Sequence, residues 1–322
     1  GEEWRKGWHP EKIPQAKSEG SILVVGGGPS GLEVTSSLAK RGYNVTLAEK
    51  SNELGGRILS ESKLFGLNEW IRVRDYRLSS INKSSNVEVF LNSEMQLEDL
   101  LDFGADKIII STGSTWNIDG RGNTLVGGGN YSEDSLISVD EFFKNCSQFK
   151  SSVSRKKILI YDDNGHYMAP TIAIDLATAG AVVTLVCSFG YANEWGLNTE
   201  ERVGVNQKIA ETGIKLITSH SVSAFNKNKA TISCVFSGFE KILETDLFMP
   251  VTIRTPNSNL YHALKSLEGN DSRLVNKSIY RIGDCEAPGL IANCIYSGHK
   301  LAREIDSSDE DGRYLNRERV SI

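Results

Sequence analysis

The most constraining feature of this chain is a glycine-rich turn between two apolar segments, within SILVVGGGPSGLEVTSSLAKRGYNVTLAEK (21–50). The residues ILVV predict a strand with no polar face, which is typical of parallel strands that helices cover on both sides. A helix is predicted next, ending near Arg41 with Gly42 as its stop, and NVTLAE predicts a second strand. This strand–helix–strand unit predicts an α/β fold of the Rossmann type.

Three glycines of this turn, Gly26, Gly28 and Gly31, have the G-x-G-x-x-G spacing of a dinucleotide-binding site. The first permits a tight turn, the second lets a pyrophosphate approach the backbone, and the third allows the helix to pack closely on the strand. The helix N-terminus adds N–H groups and a partial positive charge for phosphates. Pro29 and Ser30 complete the turn and are candidate cofactor-binding residues with these glycines.

Glu49 ends the second predicted strand, 18 residues after Gly31. A carboxylate at this position accepts hydrogen bonds from the hydroxyls of a ribose and disfavours a 2′-phosphate. The turn and this acid together indicate a site for ADP or for an adenine dinucleotide. The alternative is a glycine-rich turn that serves only the packing of the helix.

Further segments, in a matching order along the chain, supply other candidate residues for this site. ELGGR follows the second strand, DKIIISTGS contains a buried strand that ends at Thr-Gly, and SIYRIGDC contains a strand that ends at Gly-Asp before a helix predicted from about Leu290. A lysine beside Glu49 and one methionine complete the predicted set. The additional candidate cofactor-binding residues are Lys50, Gly56, Arg57, Met95, Thr112, Gly113 and Asp284.

A second strand–helix–strand pattern, ILIYDDNGHYMAPTIAIDLATAGAVVTLVC (158–187), lacks the glycines of the first. With Ile158 aligned on Ile22, the three glycine positions hold Asp162, Asn164 and Tyr167. An aspartate there repels a phosphate, by about 4 kcal/mol for unit charges about 4 Å apart at an effective dielectric constant of about 20. The tyrosine ring obstructs close helix packing, and the next strand ends with no acid for a ribose. We therefore predict that this unit supplies a core and an interface but has lost its NAD(P)H site.

The bulk properties exclude several classes of protein. No apolar run approaches the roughly 18 residues of a membrane span, and the net charge of −5 argues against nucleic acid or anionic membranes as partners. Five scattered cysteines and five histidines without metal-ligand spacing predict reduced thiols, a cytoplasmic location and no metal site. No Ser/His/Asp or Cys/His set is recognisable, so no catalytic residue is nominated.

Several segments together resemble the carboxy-terminal half of the trimethylamine and dimethylamine dehydrogenases, iron–sulfur flavoproteins related to histamine dehydrogenase and 2,4-dienoyl-CoA reductase. These segments are GEEWRKGWHPEK, VVGGGPSGLE, LNEWIRVRDYR, FGADKIIISTGSTWN, YMAPTIAIDLATAG and IGDCEAPGLIANCIYSGHKLAREI. LFMPVTIRTPNSNL is similar to the G-R-x-P-N turn of two-nucleotide flavoproteins, except that Ile253 occupies the glycine position. The match covers nearly the whole chain and is loose over 130–157.

The resemblance implies a barrel domain upstream, with covalently held FMN and a 4Fe-4S cluster, so the chain is expected to be a fragment or processed product that begins after the cluster. In the amine dehydrogenases the first nucleotide domain holds ADP and the second is empty, whereas dienoyl-CoA reductases keep FAD and NADPH. The lost glycines favour ADP, with FAD as the alternative. The resemblance further implies a full-length homodimer that oxidatively demethylates small amines and passes electrons to an electron-transfer flavoprotein.

The predicted organisation is two Rossmann-like domains of the FAD/NAD(P)-binding type, the second inserted into the first. The ranges are an N-terminal arm over 1–16, a first domain over 17–150 and 275–322, and a second domain over 151–274. The polar segment 147–155 is predicted to be a linker. Three functions stay open: the ADP-binding part of an amine dehydrogenase, an FAD-containing NAD(P)H-dependent reductase module, and a non-catalytic structural ADP-binding module.

Overall fold

The computed structural model describes residues 7–9, 12–132 and 134–306. Parts of the predicted arm (1–6, 10 and 11) and the end of the predicted first domain (307–322) therefore lie outside the described residues. The chain divides into two compact units. The first consists of the residues up to 62, 69–114 and those from 256 on, and the second consists of 63–68 and 115–255.

The strands of the described chain are β1 (Ser21–Val25), β2 (Asn44–Ala48), β3 (Val87–Phe90), β4 (Lys107–Ile110), β5 (Ser114–Trp116), β6 (Asn130–Tyr131), β7 (Lys157–Asp162), β8 (Val182–Cys187), β9 (Lys215–Ile217), β10 (His220–Asn226), β11 (Lys229–Cys234), β12 (Glu240–Glu244), β13 (Leu247–Val251), β14 (Arg254–Pro256) and β15 (Ser278–Arg281). Its α-helices are α1 (Pro29–Lys40), α2 (Ile58–Glu61), α3 (Ile71–Asn82), α4 (Leu97–Asp102), α5 (Val139–Lys144), α6 (Cys146–Ser152), α7 (Met168–Thr178), α8 (Arg202–Glu211), α9 (Asn259–Leu267) and α10 (Ile291–Glu304). Short 3₁₀ helices cover Asn68–Trp70, Glu194–Leu197, Ser272–Leu274 and Gly283–Cys285.

The first unit is built on a parallel sheet of five strands in the order β15-β4-β1-β2-β3. Val25, at the end of β1, lies level with Ala48 of β2 and Ile110 of β4. The strand order reverses between β1 and β4, and in sheets of this kind a crevice for ligands opens at such a point, beyond the carboxyl ends of the strands.

Both faces of β1 are buried, as its apolar sequence predicts. Ile22 and Val24 belong to one core cluster, with Leu32 of α1, whereas Leu23 and Val25 belong to another. This alternation follows from the two-residue period of a strand. Because both faces of β1 are covered, a ligand can approach this strand only at its carboxyl end, where the crevice lies.

The second unit contains two four-stranded sheets. The parallel sheet has the order β13-β7-β8-β9, and the other has the order β12-β11-β10-β6, in which β10, β11 and β12 are antiparallel. One cluster joins them: Leu159 and Phe248 of the first sheet pack with Val222 and Phe225 of the second. The predicted fold class, with one Rossmann-like domain inserted into another, is confirmed.

The two units have other bounds than the predicted domains. The two units meet along the chain at 114/115 and 255/256, whereas the predicted divisions were 150/151 and 274/275. The two crossings run through β5 and β14, which pair in a two-stranded sheet. Strands of three residues are too short to show a hydrophobic period in the sequence. The predicted divisions therefore followed changes in composition, which lie further along the chain.

Two local predictions are corrected. Counted from Ile22 and Ile158, the first helix begins seven residues on, and the second begins ten residues on, at Met168. Tyr167 is therefore the N-cap residue of α7 and does not occupy the position of Gly31, which is the third residue of α1.

The predicted linker 147–155 is also wrong over most of its length, since Cys146–Ser152 form helix α6. The ring of Phe149 packs edge-on against that of Phe142, with 5.7 Å between centroids. Phe149 is the one large apolar residue in the sequence of this helix, CSQFKSS, which is why the composition of the segment did not indicate a helix.

Gly31→Ala tests the closest packing in the first unit. A Cβ at Gly31 would overlap the carbonyl oxygen of Gly26, so the variant should lose roughly 1–3 kcal/mol in free energy of unfolding, as overpacked cores do. Gly204 is the matched control, because it is also the third residue of a helix but has open space around it. Gly204→Ala should gain about 0.5–1 kcal/mol. Urea unfolding measures both, and equal effects would contradict the packing argument.

Candidate nucleotide-binding site

The turn after β1 is bonded to the end of β4, the strand beside β1 in the sheet. Gly26 has a φ of +104°, and a Cβ there would lie 2.5 Å from the carbonyl oxygen of Ser111. The Ser111 hydroxyl lies 2.8 Å from the carbonyl oxygens of both Val25 and Gly26 and shares its one proton between them. Ser111 was not among the predicted site residues, although its place directly after a buried strand and before Thr-Gly could have indicated it.

Gly28 leaves the approach to helix α1 open. It is the N-cap residue of α1, no side chain caps the helix there, and no atom beyond its two chain neighbours lies within 4 Å of the position of a Cβ. Pro29 occupies the first helical position, followed by Ser30 and Gly31. An uncapped helix N-terminus beside open space is suited to bind a phosphate.

Glu49 lies at the edge of this turn and is buried. Its Oε2 accepts from the N–H of Gly27 at 2.6 Å, and its Oε1 accepts from the N–H of Ser51 at 2.8 Å. The Ser51 hydroxyl lies 2.6 Å from Oε1 and 2.9 Å from the carbonyl oxygen of Glu53. The shorter distance and the negative charge favour donation to Oε1, so Oε1 accepts from both groups of Ser51, whereas Oε2 accepts only from Gly27 and can accept from a ribose.

The ELGGR segment packs directly on the turn. The N–H of Gly55 donates to the carbonyl oxygen of Gly27 at 2.9 Å, and a Cβ at Gly56 would lie 2.9 Å from the Cα of Gly28. Arg57 follows and forms an ion pair with Glu61 at 3.1 Å. The structure thus brings Gly56 and Arg57 to the predicted phosphate position.

Asp284 is buried at the end of β15 and is held by several groups. Its Oδ1 accepts from the N–H of Gly289 at 2.9 Å, and its Oδ2 accepts from the Ser114 hydroxyl at 3.2 Å. The thiol of Cys294 lies 3.2 Å from Oδ1. Burial raises the pKa of Cys294 to about 11, so the thiol stays protonated and donates to the carboxylate.

The remaining predicted residues lie around the margin. The Thr112 hydroxyl donates to the carbonyl oxygen of Asn257 at 2.6 Å, and Gly113 has a φ of +75° with open space around it. Met95 is half-buried against the cluster that contains Val25, and Lys50 is exposed. The set therefore surrounds the carboxyl ends of β1, β2, β4 and β15.

The matching turn of the second unit is filled by its own side chains. Asp162 is fully buried, and its Oδ1 accepts from the N–H groups of Asn164 and Gly165 at 3.0 and 2.8 Å. Within the described part of the chain, Oδ2 has no hydrogen-bond partner. Burial raises the pKa of Asp162 to about 7, and the charge of Asp163 adds to the effect.

A loop of the same unit covers the end of β7. Both the N–H and the hydroxyl of Thr124 donate to the carboxylate of Asp163 at 2.8 Å. The side-chain amide of Asn123 donates to the carbonyl oxygen of Asp163 at 3.1 Å. The backbone groups that would meet a phosphate are therefore occupied by the chain itself.

Among the described residues, no group of three or more His, Cys, Asp or Glu side chains has an arrangement that could hold a metal ion. The helices within the described ranges are also too short or too polar to span a membrane.

Comparisons with known proteins agree with this geometry. The family of NAD(P)-binding Rossmann-like domains matches residues 24–93. Dimethylamine dehydrogenase of Hyphomicrobium sp. (strain x) is 30% identical over 96% of the chain and 45% of its own length. The structure of histamine dehydrogenase from Rhizobium sp. 4-9 matches all of the chain and 49% of its own, with a TM-score of 0.93 and 35% identity.

The chain is homologous to the amine dehydrogenases. It corresponds to their carboxy-terminal half and spans about half the length of the curated relatives that it matches. The 6-hydroxypseudooxynicotine amine oxidase of Pseudomonas geniculata N1 is also similar, at 33% identity and a TM-score of 0.84 over 94% of this chain and 44% of its own. The resemblance seen in the sequence is thereby confirmed, and the chain is an α/β module of a flavoprotein oxidoreductase family. Thioredoxin reductase of T. acidophilum, 16% identical with a TM-score of 0.57 over 90% of this chain, shares the fold alone.

Asp162→Asn tests the buried carboxylate of this amine dehydrogenase homologue. Because the folded-state pKa lies above the ordinary value, the folded protein binds the proton more tightly, and Asp162 lowers the free energy of unfolding as the pH rises from about 4 to about 7. The variant keeps one oxygen as acceptor and removes the charge. It should be more stable than the parent near pH 8, by at most about 4 kcal/mol, and lose most of this advantage near pH 4. Urea unfolding at both values measures the difference, and an advantage that does not depend on pH would refute the assignment.

Proposed function

We propose that the chain is the ADP-binding portion of an amine-dehydrogenase-like flavoprotein oxidoreductase. The observation that carries this proposal is the open backbone at Gly28, at the uncapped N-terminus of α1. Glu49 lies at the end of the neighbouring strand, where a ribose would follow the phosphates. Homology to dimethylamine dehydrogenase supports the family.

The predicted cofactor-binding residues have separate roles in this proposal. The turn from Gly26 to Gly31 would hold the pyrophosphate through backbone N–H groups and the partial positive charge of the helix. Glu49 would bind the ribose hydroxyls. Lys50, Met95 and Thr112 would border the site, as would Gly56 and Gly113.

The full-length protein is proposed by homology to have an upstream barrel that carries FMN and a 4Fe-4S cluster. In that protein the barrel would demethylate small amines oxidatively, and the electrons would pass to an electron-transfer flavoprotein. A homodimer and a cytoplasmic location belong to the same proposal. The 322 residues of this chain would bind the nucleotide and brace the barrel, and no catalytic residue is assigned to them.

The nucleotide content of the protein tests the proposal. Protein purified without added nucleotide should be colourless and release ADP, or its breakdown product AMP, on acid treatment. Chromatography of the supernatant and an absorbance spectrum of the protein measure both. A yellow preparation with stoichiometric FAD would overturn the choice of ADP.

Glu49→Ala tests the ribose contact. The variant should bind ADP more weakly by roughly 1–3 kcal/mol, the scale of hydrogen bonds to a charged group. An ADP analogue whose ribose lacks both hydroxyls is the matched probe, since it should bind the parent weakly and lose little further affinity in the variant. Calorimetry measures all four combinations. Equal losses for ADP and the analogue would show that Glu49 only supports the turn through Gly27 and Ser51.

The two alternatives have distinct outcomes. A reductase module would contain FAD and would be bleached by NADPH without oxygen. The second unit argues against this, because Asp162 and the Asn123–Thr124 loop occupy the turn that NADPH would need. A structural ADP-binding module would bind ADP equally well but would not associate with a separately produced barrel domain of an amine dehydrogenase.

A further inference from the structure

The strand order decides where each half of a dinucleotide would lie in the first unit. β2 and β3 lie on one side of β1, and β4 and β15 lie on the other. A dinucleotide lies across the crevice at such a reversal, with its pyrophosphate at the first helix. With adenosine at Glu49, on the β2 side, the second half must extend past the ends of β4 and β15.

Arg57 lies across that path. The preceding residue, Gly56, packs on Gly28, so the arginine side chain starts beside the phosphate turn. Its Nε lies 3.4 Å from Oδ2 of Asp284, at the end of β15, and its Nη2 donates to the carbonyl oxygen of Gly289 at 2.7 Å. The guanidinium therefore bridges the phosphate turn and the β15 side of the crevice.

The surrounding groups hold this arginine firmly. Glu61, one helical turn further on, pairs with it at 3.1 Å, and only 20% of the arginine side chain is exposed. Gly283 lies close to α1, since a Cβ there would lie 2.5 Å from the hydroxyl of Ser30. The end of β15, and Asp284 with it, is thus fixed beside the first turn of the helix, at the point where the pyrophosphate would end.

Both carboxylate oxygens of Asp284 already have partners within the chain, so they are not available to a second nucleoside. Its Oδ1 accepts from Gly289 and Cys294, and its Oδ2 from Ser114, with Arg57 alongside. A flavin dinucleotide joins its second phosphate to a ribityl chain whose hydroxyls need such acceptors. It would have to separate Arg57 from Asp284, and separating two largely buried opposite charges is costly.

We propose that the Arg57–Asp284 pair sets the length of nucleotide that the first unit accepts: it closes the crevice beyond the second phosphate, so a nucleoside diphosphate fits and a flavin dinucleotide does not. This inference rests on the proposed ADP site and adds its specificity-determining residue. Arg57 acts here by occupying space and by holding Asp284.

The test is the ratio of the dissociation constants for FAD and ADP. Arg57→Ala should lower this ratio by roughly tenfold or more, because it removes the ion pair with Asp284 and the hydrogen bond to the Gly289 carbonyl, which FAD would have to break. Calorimetry gives the constant for ADP, and flavin fluorescence gives that for FAD, both on the 322-residue chain freed of nucleotide. A ratio unchanged from the parent would overturn the inference.

Two further variants guard against a general loss of structure. Arg57→Ala combined with Glu61→Gln restores the local charge of the parent and should lower the ratio as the single variant does. Arg77→Ala removes a similarly buried arginine, paired with Glu33 at 2.6 Å, and should leave the ratio unchanged. An equal fall of the FAD/ADP ratio in Arg77→Ala would show that loosened packing causes the effect, and it would refute the inference.

Failure of the inference is distinguishable from failure of the ADP proposal. A parent protein that binds ADP and FAD equally well refutes only the role of Arg57 and Asp284. A parent protein that binds neither nucleotide refutes the ADP site itself, and the inference with it.

Discussion

The close approach of helix α1 to the end of strand β1 is the constraint on which the rest of the first unit depends. Gly31 lies so near the Gly26 carbonyl that no side chain fits between them. That contact brings the N-terminus of α1 to the carboxyl edge of the sheet. Gly298 of α10 then packs on Ser30, where a Cβ would lie 2.5 Å from the carbonyl oxygen, and the end of β15 is drawn to the same place. The packing of α1 on β1 therefore positions the phosphate turn, and α10 and the end of β15 then pack beside it.

The second unit has the same frame under a different local constraint. Its turn is longer before α7 begins, and the Asp162 carboxylate accepts the backbone N–H groups that a phosphate would otherwise bind. The apolar core between its two sheets needs none of these groups. A frame can therefore be retained for its core after its site has been filled, because burial of apolar surface stabilises the fold independently of any ligand.

The sequence predicted the first unit well because its signals are local. A two-residue apolar period, a glycine turn and a helix stop lie within one stretch of chain, and β1, α1 and β2 appear within a residue or so of their predicted bounds. The two units divide at other positions than the predicted domains, and helix α6 was predicted to be a linker, because β5, β14 and the Phe149–Phe142 contact have no periodic pattern in the sequence. Tyr167 was wrongly aligned with Gly31, because an alignment on the strands cannot reveal that the turn before α7 is longer.

By itself the sequence determined that the chain has two strand–helix–strand units of one fold class, that only the first keeps the glycines of a nucleotide turn, and that Glu49 ends the adjoining strand. Only the tertiary structure decided what surrounds that turn. Arg57 and Asp284 are far apart in the chain, and their ion pair exists because β15 adds to the edge of the sheet beside β4. Likewise, the bonds between Asp163 and Thr124 join a strand end to a distant loop. A glycine turn can be predicted from sequence because it depends on the conformation of its own backbone. The partner of a side chain depends on the order of strands in the sheet, which no single segment of the sequence specifies.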